Sequence, residues 1–267
     1  MNLDLFQVSF LAILQGLTEF LPISSSGHLI LPSLLFGWDD QGLSFDVAVH
    51  VGSLLAVLIY FRKDIARLAS ALFNSLLRHT HNSDSRLAWM LIVATIPAGL
   101  AGLLLNDYVE QYGRSSLIIA ITSISFALLL LGSDRVGSKQ KTLQELDWKT
   151  VLIIGFSQAL ALIPGTSRSG VTMTAALFCN LDRQAAARFS FLLAIPLILA
   201  SGGLKAVELI AAEGATVEWV VLLYAALLSA LVAYGCIHVF LQLIERIGFM
   251  PFVIYRVLLG VFLLLQT

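Results

Sequence analysis

The sequence predicts an all-α polytopic membrane protein, built from six full transmembrane helices plus two re-entrant helix hairpins in an inverted-topology repeat. Three observations carry that prediction. Of 267 residues, 58% are hydrophobic and only 12% are charged, with mean hydropathy +0.89; a soluble domain carries ~25% charged residues. Several apolar stretches reach the ~20 residues needed to cross a bilayer. Basic residues also gather in two loops, 62–86 and 133–149, which hold nine of the sixteen.

The first apolar helix is predicted over Leu3 to Leu21, ended or kinked by Pro22. A segment from His28 to Trp38 is too short to span at ~1.5 Å per residue. After the acidic connector Asp39-Asp40-Gln41-Gly42, a full span is expected from Ser44 to Phe61. Arg62, Lys63, Arg67, Arg78 and Arg86 make the first basic loop, in which His79 and His81 are read as solvated. Spans follow at Leu87 to Leu105, interrupted by Pro97, and at Ser115 to Leu131, joined by a connector with Asp107 and Glu110. The second basic loop, Ser133 to Lys149, carries Arg135, Lys139, Lys141 and Lys149.

Val151 to Ile163 and Val171 to Leu181 are short again, and Pro164-Gly-Thr-Ser-Arg-Ser-Gly170 breaks the run between them. The loop 182–188 adds Arg183 and Arg188. Three spans close the chain, at about Phe189 to Leu204, Glu218 to Leu241 and Phe249 to Leu265. The connector after Leu204 carries Lys205 against Glu208, Glu213 and Glu218.

Orientation follows from the positive-inside rule. Loops 62–86, 133–149 and 182–188 belong in the cytoplasm, and the acidic connectors 106–114 and 205–218 outside. Segment 150–188 must then dip in and return, and segment 3–38 must do so from the opposite face. The chain reads as one membrane domain, 1–267, with inverted repeats over about 1–133 and 140–267. Leu21-Pro22 with Ser24-Ser-Ser-Gly27 echoes Ile163-Pro164 with Ser167-Arg-Ser-Gly170, and Ser53-Leu-Leu-Ala56 echoes Phe191-Leu-Leu-Ala194. Non-helical backbone at membrane depth has to line a cavity or be buried in protein, so the two broken hairpins are expected to meet.

Net charge −1 argues against an electrostatic nucleic-acid binder. Cys179 and Cys236 lack metal or redox spacing and read as buried free thiols. The first residues lack a basic n-region, so the first apolar segment is expected to be retained.

Polar residues concentrate in Gln15-Gly-Leu-Thr-Glu19-Phe-Leu-Pro-Ile-Ser24-Ser25-Ser26-Gly27-His28. Gln15 and Glu19 share a helix face at i, i+4. Each Ser/Gly turn precedes a helix start, whose free N–H groups and positive dipole end suit a phosphate, and Arg168 adds a bidentate guanidinium. Glu19 suits a general base or, with Gln15, a ligand for a hard divalent cation. His28 could orient or deprotonate a serine, or serve as an acid. His50 and His238 lack clustered partners and read as structural; Asp46 and Arg256 read as helix-packing ion pairs. The reaction class is hydrolysis or transfer of a phosphoryl group on a membrane-embedded lipid.

On these residues the chain resembles the bacterial undecaprenyl-diphosphate phosphatase family linked to bacitracin resistance. Residues 15–28 are similar to its first signature, a Glu/Gln-x-x-x-Glu pair leading into a Ser-Ser-Thr-Gly-His type turn. Residues 164–170 are similar to its second, Pro-Gly-x-Ser-Arg-Ser-Gly. Phe189-Ser-Phe-Leu-Leu-Ala-Ile-Pro196 and the stretch from Phe240 to Arg256 are similar to later segments of the family.

The resemblance implies hydrolysis of undecaprenyl diphosphate to undecaprenyl phosphate in the bacterial inner membrane, recycling the carrier for peptidoglycan synthesis. It implies a divalent cation, Mg²⁺ or Ca²⁺, held by Gln15 and Glu19, and a site opening to the periplasm. Ser25 would be the nucleophile, activated by Glu19 or His28, and Arg168 would hold the phosphates. Ser24, Ser26, Gly27, Thr166, Ser167, Ser169 and Gly170 would line the phosphate cradle. Gln15 stands where some relatives have Glu, so of that pair Glu19 alone can serve as acid or base, which weighs against a two-carboxylate mechanism. The partners are the lipid and the membrane; the sequence allows a homodimer without fixing one. A metal-bound water attacking directly is the alternative mechanism, and a lipid-phosphate flippase or secondary transporter is the alternative function. The type-2 phosphatidic acid phosphatases are discounted: none of the six prolines follows an arginine, and Thr174 stands where that family needs histidine.

Overall fold

The computed structural model describes residues 3–112, 115–211 and 218–266, with the backbone alone described over 106–112 and 205–211. Among them the regular structure is helical, apart from an isolated bridge between Lys141 and Leu181. The helices are α1 (Leu5–Thr18), α2 (Ser25–Phe36), α3 (Gly42–Tyr60), α4 (Arg62–Arg78), α5 (Ser83–Tyr112), α6 (Ser116–Val136), α7 (Trp148–Gln158), α8 (Arg168–Phe178), α9 (Arg183–Ala211), α10 (Trp219–Ile247) and α11 (Met250–Gln266). A 3₁₀ turn, Ala159–Leu162, continues α7.

Among the described residues, five segments are long and apolar enough to cross a membrane: Gly42–Tyr60, Ser83–Leu105, Ser116–Val136, Arg183–Leu204 and Trp219–Ile247. The expected sixth span corresponds to α11, whose 17 residues sit at the short end of the ~17–25 range for a spanning helix. Leucines stand outward on these helices, among them Leu100, Leu128, Leu223, Leu227 and Leu231. Such a surface is costly in water and neutral in lipid, so the chain is a multi-pass membrane protein.

Several expected boundaries are corrected. Residues 62–78 of the first basic loop form α4, whose face with Leu68 and Ala71 is buried. Pro97 does not interrupt its span; α5 runs through it, as α9 runs through Pro196. Proline removes one i→i−4 bond and can kink a helix without ending it. The arginines of loop 182–188 belong to the first turns of α9, where Asp182 accepts from the Ala185 N–H at 2.5 Å. Helices α5 and α9 run on into both acidic connectors. The side chains of Asp107, Glu110, Lys205, Glu208 and Glu213 lie outside the described residues, as do 113–114 and 212–217 entirely.

Helix α10 is the central post. It packs along α3 and α1, while α6 packs on α11 and α5 on α7. Two glycines permit the close approach: a Cβ on Gly52 would run into the Ala226 carbonyl, and one on Gly16 would lie 2.7 Å from Ser229 O. The main core gathers Phe20, Phe61, Phe189, Phe191, Phe240 and Phe249, with Phe20 edge-on to Phe191 at 5.2 Å between centroids. A cavity of about 490 Å³ opens elsewhere, lined by Asp64, Arg67, Arg86, Asp182 and Arg188 among others. None of the residues expected to carry the chemistry lines it.

Candidate active site

The site begins with two helix starts of the same design. Ser24 has φ 76° and ψ 93°, and its side chain accepts from the Gly27 N–H at the start of α2. Ser167 has φ 73° and ψ 113°, and accepts from the Gly170 N–H at the start of α8. Positive φ is uncommon outside glycine, and here it is offset by the cap, which satisfies one of the orphan N–H groups. Ser25 and Arg168 are therefore equivalent: each is the first residue of its helix. Gly165, at φ +87°, makes the turn before α8, and a Cβ there would collide with Thr122 Oγ1.

Both starts converge on Glu19, the residue after α1. Ser25 Oγ donates to Glu19 Oε2 at 2.6 Å, and Arg168 Nη2 donates to Oε1 at 2.8 Å. Gln15 Nε2 donates to Oε2 at 3.0 Å. His50 Nε2 lies 3.8 Å from the same oxygen. Arg168 Nη1 donates to Ser190 O at 3.1 Å, and its guanidinium carbon lies 5.8 Å from the Phe20 ring centroid, a cation–π distance. Of the expected site residues, Gln15, Glu19, Ser25 and Arg168 thus share one bonded cluster. Glu19 is buried while Ser25 is partly open, so the hydroxyl is the accessible member.

The remaining expected residues serve in other ways. Ser24 and Ser167 spend their oxygens on the caps, and Ser169 Oγ donates to Leu21 O at 2.7 Å, tying α8 to the first turn. Ser26 is exposed, Gly27 and Gly170 are buried, and Thr166 Oγ1 is buried without a hydrogen-bond partner. His28 Nδ1 lies 2.6 Å from Ser24 O and Nε2 lies 2.6 Å from Tyr255 OH. A carbonyl only accepts, so Nδ1 carries the proton and the neutral ring accepts from Tyr255 at Nε2. Neither ring nitrogen bonds to Ser25.

Arg256 is not a helix-packing ion pair. Fully buried, it donates to Ser123 O at 3.2 Å, Pro22 O at 3.1 Å, Gly165 O at 2.8 Å and Thr166 O at 3.0 Å. Those carbonyls belong to both turns and to α6, so one guanidinium staples the two helix starts together. His50, expected to lack clustered partners, has one: its Nε2 lies beside the Glu19 carboxylate. The signal that could have found it is an ionisable residue within a span. Nothing local marked Ser190, Tyr255 or Phe20. The thiols Cys179 and Cys236 are free and only partly buried. His81 bonds to Ser75 and His238 to Gln242.

A family model described as "Bacitracin resistance protein BacA" matches residues 8–262. Undecaprenyl-diphosphatase 1 of Pseudoalteromonas translucida (strain TAC 125) is 55% identical over 259 residues, 97% of each chain. The undecaprenyl-diphosphatase of Hahella chejuensis (strain KCTC 2396) is 56% identical over 258 residues, 97% of this chain and 96% of that one. Undecaprenyl-diphosphatase 2 of Stutzerimonas stutzeri (strain A1501) is 55% identical over 265 residues, 98% of each. The matched span takes in both serine-capped turns, the carboxylate they share and the arginine that staples them, and over that span the chain belongs to the bacitracin resistance protein BacA family.

Proposed function

We propose that this protein hydrolyses undecaprenyl diphosphate to undecaprenyl phosphate and inorganic phosphate, recycling the carrier lipid for cell-wall synthesis and so conferring bacitracin resistance. The observation that carries this reading is the Ser25–Glu19–Arg168 cluster, a hydroxyl and a guanidinium on one carboxylate at 2.6 and 2.8 Å. It stands between two helix N-termini that suit a diphosphate. Relatives bearing the name undecaprenyl-diphosphatase over nearly the whole chain support the substrate.

In the mechanism, Arg168 and the first N–H groups of α2 and α8 hold the diphosphate. A phosphate oxygen competing for Arg168 draws it from Glu19 and leaves the carboxylate a stronger base. Ser25 Oγ attacks the terminal phosphorus as its proton passes to Glu19; the bond to the bridging oxygen breaks, and undecaprenyl phosphate departs with that proton. Glu19 then takes a proton from an attacking water, and Ser25 Oγ leaves phosphorus and recovers it. His28, whose two ring nitrogens are engaged by Ser24 O and Tyr255 OH, stands outside these proton transfers and ties the start of α2 to α11.

The donor set fits a hard divalent cation. Gln15 Oε1 is buried without a hydrogen-bond partner, Glu19 adds a carboxylate, and Mg²⁺ commonly takes one or two carboxylates plus substrate phosphates. Gln15 and Glu19 would hold the ion, which would supply charge neutralisation at the phosphates.

The reading of the fold as a single membrane domain with inverted repeats, two re-entrant hairpins and α11 as a sixth span rests on three features. The caps at Ser24 and Ser167 match. Gln15 and Gln158 each stand nine residues before their capping serine. Helix α1 packs on α10 as α7 packs on α5. Positive-inside loops and the family likeness support a site opening to the periplasm.

The test is phosphate release from undecaprenyl diphosphate by purified protein in detergent, where transport has no meaning; no release would favour the flippase reading. Trapping labelled phosphate on Ser25 separates covalent attack from attack by metal-bound water, and near-normal turnover of Ser25→Ala would sink the covalent version.

A further inference from the structure

We propose that His50 is a direct ligand of the divalent cation, sharing it with Glu19 and Gln15. This inference rests on the reading of the same site given above, and gives the cation one nitrogen donor among its oxygens.

The argument starts from hydrogen bonding. His50 Nδ1 lies 2.7 Å from the Asp46 carbonyl; a carbonyl only accepts, so Nδ1 bears the proton. Whenever the ring carries that one proton alone, its Nε2 presents a lone pair. That lone pair is 3.8 Å from Glu19 Oε2, itself an acceptor. Gln15 adds a third. Its amide is fully buried, its Oε1 has no hydrogen-bond partner, and its Nε2 stands 3.0 Å from Glu19 Oε2 and 3.5 Å from Ser53 Oγ.

An amide's oxygen and nitrogen are interchangeable in shape. Turned over, Gln15 would place its oxygen against Glu19, which is repulsive alone and favourable around a cation. On this side of the carboxylate the donors to Glu19 Oε2 are the neutral Ser25 Oγ and Gln15 Nε2, while the charged Arg168 guanidinium holds the other oxygen. The 3.8 Å gap from Glu19 to His50 is one that a single ion with bonds of about 2.1 Å can bridge. The His50 side chain is 34% exposed, which leaves the site open to entry.

A nitrogen ligand changes which ion is held. Mg²⁺ and Ca²⁺ take oxygen donors, whereas imidazole suits first-row transition ions. This chain should therefore bind Mn²⁺ more tightly than Mg²⁺, by a margin that depends on His50.

The experiment uses the full-length, tag-free protein in detergent, titrated with Mn²⁺ alone and with Mn²⁺ plus inorganic phosphate. Free Mn²⁺ is counted by electron paramagnetic resonance, and bound Mn²⁺ is examined by pulsed resonance for ¹⁴N coupling. Wild type should show ¹⁴N coupling. His50→Gln should lose it and bind at least about tenfold more weakly, since even outer-shell losses cost about 10–100-fold. His50→Glu should keep binding, lose the coupling and narrow the preference for Mn²⁺ over Mg²⁺; His238→Gln should change nothing. Bound Mn²⁺ without ¹⁴N coupling, coupling that survives in His50→Gln, or no bound Mn²⁺ under either condition overturns the proposal. The first of these would leave His50 as a protonated partner of Glu19. Phosphate release measured on the same samples separates the two readings: release without these signatures sinks the role of His50 alone, and no release sinks the function.

Discussion

Ser25 and Arg168, 143 positions apart in the chain, hold the two oxygens of one carboxylate. Ser25 Oγ donates to Glu19 Oε2 at 2.6 Å and Arg168 Nη2 to Oε1 at 2.8 Å, and each is the first residue of a helix begun by a positive-φ serine. Matching helix starts thus place a hydroxyl from one half of the chain opposite a guanidinium from the other. What differs between the halves is the chemistry carried on a shared frame.

Arg168 should not tolerate lysine. The guanidinium bonds Glu19 and Ser190 O at once, a fork that an ammonium cannot reproduce. Removing an electrostatic donor of this kind costs about 10²–10³ in kcat. Phosphate-release kinetics on Arg168→Lys should show a loss of that order with the thermal unfolding temperature little changed. A variant within a few-fold of wild type would remove Arg168 from the mechanism.

Arg256 should matter to stability first. Its removal leaves four carbonyl acceptors (Ser123, Pro22, Gly165 and Thr166) without this donor, and each unsatisfied buried acceptor costs about 1–3 kcal/mol. Arg256→Met should unfold well below wild type in detergent, and Arg256→Lys should fall between them. Unfolding of the Met variant at the wild-type temperature would contradict the staple.

The capping serines give a paired comparison. At Ser24 and Ser167, alanine keeps the positive φ and loses the cap, so each change should destabilise by about 1 kcal/mol. Glycine also loses the side-chain cap but accepts the backbone angle. Chemical denaturation should rank Ser above Gly above Ala at both positions. An alanine variant as stable as glycine would show that the angle is not maintained.

Gly165→Ala should disrupt the second turn. The new Cβ meets Thr122 Oγ1 and sits at φ +87°, while Thr122 Oγ1 already donates to Pro164 O at 2.7 Å. Both turnover and thermal stability should drop. Adding Thr122→Ala should recover part of the stability by relieving that contact, with the strained angle and the close approach to Ile119 O at 2.8 Å remaining. Wild-type stability in Gly165→Ala would refute the contact.

Much of this protein was legible one segment at a time. Apolar content set the helical membrane class, and the two Ser-x-Ser-Gly runs marked the starts of α2 and α8, because caps are formed between residues three apart. The first basic loop read correctly as charge and wrongly as loop: α4 is stabilised by burying Leu68 and Ala71, which composition does not reveal. Pro97 misled for a related reason, since α5 is held across it by packing on α7 and α9.

The sequence by itself determined the helices, the caps and the set of polar residues available for chemistry, since these depend on neighbours along the chain. Only the tertiary structure decided which of them meet. That His50 stands beside the shared oxygen follows from how closely α1 and α3 approach α10 at Gly16 and Gly52, and that Arg168 takes Glu19 and Arg256 takes four carbonyls rather than a carboxylate follows from the packing of α8 and α11 on α6. Contacts between residues more than a hundred positions apart are set by that packing, and no local pattern encodes them.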